Sequence, residues 1–278
     1  MDKTFDTVDL KVAEAEFFLR KMAECNFNFS EFGFYFSAFL SASRTVTLAL
    51  QQFNHLDGFE KWYIPHREDL KANQTAKFFL NTRNSHMHGG GYPVRGGTTC
   101  NGVHTFHFRN YEHNKFEIGD DDVLCKSRQF FLMLLEIVYD CYVHLGPQID
   151  PQQYFTKEYF SSIGRTINEA EVEVFGWVMV SLKDEGFSDD DRWHELRAKV
   201  KCCNINHLFN AYLGKVTPQP KEPEHYKDFK YPAEEKGWVY IPAGFENIEE
   251  WIEFTKQGMP NKTLKWRRRP SAVCWASL

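Results

Sequence analysis

The chain has 278 residues, 42% hydrophobic and 16% aromatic, which suffices for a sizeable core and excludes disorder along its whole length. A formal net charge of −5, from 33 Lys+Arg against 38 Asp+Glu, excludes nucleic-acid binding through an overall basic coat and leaves only local patches for such contacts. Seven cysteines without a CxxC pair suit neither an even disulfide framework nor a zinc knuckle, so a reducing compartment is expected. The acidic opening MDKTFDTVDLKVAEAEFF lacks a leader-type apolar segment, and apolar stretches are interrupted before the ~20 residues of a membrane span. A cytoplasmic location with no membrane partner is the expectation.

From Val8 to Glu24 the positions Val8, Val12, Ala15, Phe18, Leu19 and Met22 recur at three- and four-residue steps, the pattern of one helix face. Ser30 reads as the cap of a second helix, FGFYFSAFLSASRTVTLALQQF, so apolar all round that it belongs at the centre of a bundle. HLDGFEKWYIPHRED reads as a loop, with Gly58 and Pro65 as breakers. A third helix is expected from about Glu68 through TAKFFLNTRNSHMH, stopped by Gly89, Gly90 and Gly91. Residues 92–116 lose helical periodicity and read as a hairpin or irregular excursion. The acidic run 119–122 then opens a fourth helix, which Gly146 closes.

Beyond Pro147 and Pro151, helical patterning resumes. Thr166 with Glu169 spells a capping box, and Ser188 with Asp191 a looser one. From Gly214 the composition turns to a Pro- and charge-rich linker, followed by a stretch with four of the seven Trp. The expected fold is mainly α: a helical bundle over residues 1–147, a helical extension over 148–213, and a linker with an aromatic, basic tail over 214–278.

The segment that carries chemistry is Arg83-Asn84-Ser85-His86-Met87-His88, at the end of the third helix. RNA brings its own nucleophile, the 2′-hydroxyl. Its cleavage therefore needs a base for that hydroxyl, an acid for the leaving 5′-oxygen and a cation for the phosphorane charge. Histidine titrates near neutrality and serves as base or acid. Arginine stays charged and grips phosphate oxygens through its planar fork. Asn84 and His88, four apart, share a helix face, whereas Arg83 and His88 diverge by well over a right angle. Either the helix loosens at the glycines or the two act on different sides of the substrate. The bland alternative is a surface arginine and a solvated histidine at a fraying helix end.

The long apolar helix FYFSAFLSASRTVTLALQ, followed by KFFLNTRNSHMHGG, resembles a HEPN domain (higher eukaryotes and prokaryotes nucleotide-binding) over about residues 8–145. The family hallmark is Arg-x4–6-His with a polar residue after the arginine, which falls on Arg83, Asn84 and His88. The resemblance implies an α bundle, a homodimer that joins two motifs, and metal-independent endoribonuclease activity. It also implies toxin or antiphage-defence roles, with an antitoxin or other regulatory protein as partner; other members only bind. On that reading Arg83 stabilises the phosphorane, His88 transfers protons and Asn84 orients the phosphate or the imidazole. RNA is the substrate and no cofactor or metal is required. The rival is a catalytically silent helical module that binds RNA, nucleotide or protein.

Further residues carry weaker signals. His86 is a candidate for support, although two residues from His88 it points elsewhere on a helix. Arg44 interrupts the second helix and needs a carboxylate, carbonyls or a phosphate; it either supports the site or snorkels at the bundle edge. Lys265, Trp266, Arg267, Arg268 and Arg269 form either a solvated face or an RNA contact with the indole stacking on a base. His104, His107, Glu112 and His113 do not share one strand face and read as scattered surface groups rather than a zinc site. Arg109 to His113 imitates the motif with a gap one residue short, and Cys202-Cys203 reads as packing. P-loop, GxSxG, HExxH and dinucleotide fingerprints are all missing from the sequence.

Overall fold

The structure is a computed structural model that describes residues 5–25, 28–89, 92–101, 103–109, 122–178, 188–220, 239–240 and 273–275. It is mainly helical, and the chain divides into two units. Residues 1–150 with 202–218 form the first, and 151–201 with 219–278 the second.

The first unit is built around α1 (Asp6–Glu24), α2 (Phe29–Gln51), α3 (Phe59–Ala72), α4 (Gln74–Gly89) and the hairpin of β1 (Val94–Cys100) and β2 (Val103–Phe108). It is completed by α5 (Val123–His144) and the short α6 (Gly146–Ile149), and α11 (Asn206–Leu213) returns to it from later in the chain. α1 turns Val8, Val12, Ala15, Leu19 and Met22 inward, the face its spacing foretold, and packs along α2. α5 touches α1, α2, α3, α4 and α11, so it is the central post. Many of the phenylalanines meet in this core. Phe79 packs edge-on to Phe36 and Phe39 and stacks on Phe130 at 4.6 Å, while Phe106 of β2 stacks on Phe32 at 3.8 Å. Period-2 alternation explains the hairpin: Phe106 and Phe108 enter the core and His107 between them does not.

Local sequence signals misplace three boundaries. The cap of α2 is Asn28, whose Oδ1 accepts from the Glu31 amide at 3.2 Å, and Ser30 already lies inside the helix. The segment read as a loop is α3. Gly58, at φ 78°, is its N-cap rather than a breaker, and Pro65 sits within it. An interior proline costs roughly 3 kcal/mol. Burial of Phe59 and Tyr63 returns about 1.5–3 kcal/mol each. Two bonds to Asp140 of α5, from Trp62 Nε1 at 2.7 Å and with His66 Nε2 at 2.8 Å, hold the element in place. The expected third helix is thereby divided at Asn73, whose extended backbone ends α3 and whose Oδ1 accepts from the Ala76 amide to start α4.

Gly33 explains why so apolar a helix carries a glycine. A Cβ there would overlap the Tyr92 ring, whose hydroxyl donates to the Ser30 carbonyl at 3.2 Å. The chain leaving α4 is thus seated on α2. α11 rejoins the first unit because Asp9 of α1, 2% exposed, accepts from the Asn204 amide at 2.9 Å and from the Tyr142 hydroxyl at 2.8 Å. Phe209 then packs edge-on to Tyr139 and Tyr142.

The second unit comprises α7 (Pro151–Tyr154), α8 (Lys157–Ser162), α9 (Ile167–Phe175), α10 (Asp189–Ala198) and the strand pair β3 (Val239–Tyr240) and β4 (Val273–Trp275). Both capping boxes form, Thr166 with Glu169 at α9 and Ser188 with Asp191 at α10. Tyr154, Phe155, Phe160, Ala170, Trp193 and Leu196 make its core. Beside them Arg192 grips Glu171 with two bonds, of 2.8 and 2.6 Å. Among the described residues, no helix is long and apolar enough to cross a membrane.

Candidate functional site

The Arg83–His88 segment occupies the last turns of α4, which stays helical through Gly89. A regular helix sets Arg83 and His88 about 140° apart around the axis and roughly 7.5 Å apart along it. The two side chains therefore leave the helix in different directions. Arg83 is half-buried and borders the space between α2 and α3, whereas Asn84, Met87 and His88 are exposed. Asn84 and His88 share an exposed face, and Leu80, 41% exposed, and Met87, 53% exposed, lie around the helix between that face and Arg83.

Asn84 engages the arginine rather than the imidazole: the Arg83 Nη1 donates to Asn84 Oδ1 at 3.2 Å. Arg83 Nε is buried without a hydrogen-bond partner. His86 faces back into the bundle, its Nε2 2.8 Å from Ser37 Oγ of α2, so it does not converge with His88.

Arg83 borders a cleft of about 520 Å³ between α2, α3, α4 and α5. Arg44 lines the same cleft, which joins the two arginines the sequence singled out, 39 positions apart. Arg44 Nη1 donates to Thr47 Oγ1 at 3.1 Å. Arg67, Lys71 and Lys77 also line the cleft, and Arg67 and Lys71 both contact Glu68, at 3.3 and 2.9 Å. Among the described residues no acidic side chain lines it, and neither Arg44 nor Arg83 has a carboxylate partner.

A second polar cluster lies between α3 and α5. Asp140 of α5 meets Trp62, His66 and, at 3.1 Å, His144 Nδ1. Partial burial pushes the Asp140 carboxyl up, but bonds from Trp62 and His66 outweigh it and hold the group below the ordinary range. Only the i, i+4 pair Asp140–His144 was legible locally; the α3 partners come from the fold. The cluster ties α3 to α5 and lines a shallower recess of about 390 Å³.

The remaining candidates separate. His104 and His107 bond Thr99 and Thr98 of β1 from opposite faces of the hairpin. Of the pair read as packing, Cys203 is buried, and burial pushes its thiol up to about 12, whereas Cys202 is exposed and does not pack. Asn110 to His113, with Glu112, and the run Lys265, Trp266, Arg267, Arg268 and Arg269 lie outside the described residues. Compared with known proteins, the chain matches no family model, no curated protein and no solved structure.

Proposed function

We propose that the chain is a metal-independent endoribonuclease of the HEPN type, acting as a homodimer in the cytoplasm, with a toxin or defence role restrained by a partner protein. The observation that carries this reading is the split presentation of the motif: His88 and Asn84 on an exposed helix face, and Arg83 without an acidic partner beside them. In-line cleavage requires proton-transfer groups on opposite sides of phosphorus, and one exposed histidine supplies one of them. A second copy of α4 supplies the other, and the Leu80 and Met87 side chains give the shared face an apolar component for self-association.

In the proposed reaction a His88 imidazole takes the proton of the 2′-hydroxyl, whose oxygen attacks phosphorus. A second imidazolium protonates the leaving 5′-oxygen. Arg83 neutralises the phosphorane oxygens, with Asn84 fixing the guanidinium through the bond it already makes. The products are a 2′,3′-cyclic phosphate and a 5′-hydroxyl. The test is incubation of purified protein with mixed RNA in EDTA, followed by end-group analysis. Cyclic phosphate ends support the proposal; 5′-phosphate ends, or RNA left intact under every condition, overturn it. The cation-lined cleft favours a second reading, a helical binding module without cleavage, which intact RNA would support.

A further inference from the structure

The cleft beside the motif combines an apolar floor with cationic walls. Its floor is apolar and buried, made by Leu40, Phe79, Phe130 and Leu134. Its walls carry Arg44 and Arg83. At about 520 Å³ it falls within the ~300–1,000 Å³ range of small-molecule sites.

Three polar groups there lack adequate partners. Ser43 Oγ, on a residue 1% exposed, is buried with no hydrogen bond, although it lines the cleft. Arg83 Nε is likewise buried and unbonded. Arg44 engages the neutral Thr47 hydroxyl alone among described side chains, with no carboxylate. Leaving such donors unsatisfied is costly, and leaving guanidinium groups uncompensated beside an apolar floor more so. Water satisfies donors but does not neutralise charge.

We infer that this cleft is a binding site for a small organic anion, a phosphate or carboxylate carried on an apolar or aromatic body. The acid head sits between Arg44 and Arg83, and the body lies over the apolar side of the cleft. A bare phosphate would leave the apolar lining, where Leu80 is 41% exposed, uncovered, and a neutral apolar molecule would leave the arginines without a counter-charge. Both halves of the ligand are therefore required. Arg83 is common to this site and to the proposed cleavage motif, but binding is read without RNA, so failure of the nuclease reading leaves the inference standing.

The test uses the full chain and three probes of matched shape: 1-naphthyl phosphate, 1-naphthoate and 1-naphthol, titrated by calorimetry or by probe fluorescence. One or both anions should bind at least about tenfold tighter than the neutral alcohol. Which anion is preferred distinguishes a phosphorylated from a carboxylated natural ligand. Arg44→Gln should weaken anion binding by at least about tenfold, with Arg44→Lys in between. The alcohol binding as tightly as both anions, no binding by any probe, or a folded Arg44→Gln variant with wild-type affinity would each overturn the site. The probe series needs no variant, so it decides the matter even if Arg44→Gln fails to fold.

Discussion

Replacing Asp9 by asparagine tests how the first unit is closed, and its effect can be worked out from one buried carboxyl. Desolvation raises the Asp9 pKa from 3.8 to about 6, against the lowering effect of bonds from Tyr142 and Asn204. Two pKa units at 1.36 kcal/mol each put the penalty on ionised Asp9 at about 3 kcal/mol. Between about pH 4 and 6 the folded chain still holds a proton that the unfolded chain has released, so stability falls as pH rises through that window and levels off above it. Asparagine resembles the protonated acid: its Oδ1 accepts from the Asn204 amide and its Nδ2 donates to the Tyr142 oxygen. In urea unfolding followed by tryptophan fluorescence, Asp9→Asn should match the wild type near pH 4 and exceed it by up to about 3 kcal/mol at pH 7. A difference that stays flat from pH 4 to 7 would refute the burial argument.

Glu171→Ala leaves Arg192, 3% exposed, buried without its bidentate partner, and should destabilise the second unit by about 3–5 kcal/mol in thermal or urea unfolding. A cost under 1 kcal/mol would mean that Asp189 and Asn168, which also bond Arg192 at 3.1 and 2.7 Å, suffice to hold its charge. Light scattering should return a dimer of twice 32.7 kDa. Because the proposed cleft draws one His88 from each copy, an equimolar, exchanged mixture of wild-type and His88→Ala chains should cleave at about a quarter of the rate of the same total amount of wild type, since about a quarter of the dimers keep both imidazoles. Half the wild-type rate after demonstrated exchange would mean that each copy works with its own histidine alone.

What the sequence disclosed is what short-range physics controls. The α1 stripe, both capping boxes and the hairpin's alternation depend on neighbours within a few residues, and all are present. α3 is hidden from a local reading because Gly58 and Pro65 are breakers by local preference, whereas Asp140, more than seventy residues away, supplies the bonds that override them. The return of α11 depends on Asp9 meeting Asn204 across 195 positions, which no periodicity records. The motif is legible, and so is the divergence of Arg83 from His88 on a regular helix, which α4 keeps through Gly89; the cleft uniting Arg83 with Arg44 exists only after α2 and α4 pack.

The most direct test of the central claim is the single-turnover rate of RNA cleavage by His88→Ala beside the wild type, in EDTA, with fold and dimer verified. His88 is exposed at the end of α4, so its loss should leave stability unchanged. Losing a proton-transfer group should slow cleavage by about 10²–10⁴-fold. A folded, dimeric His88→Ala variant that cleaves RNA as fast as the wild type would contradict the assignment of this motif as a nuclease site.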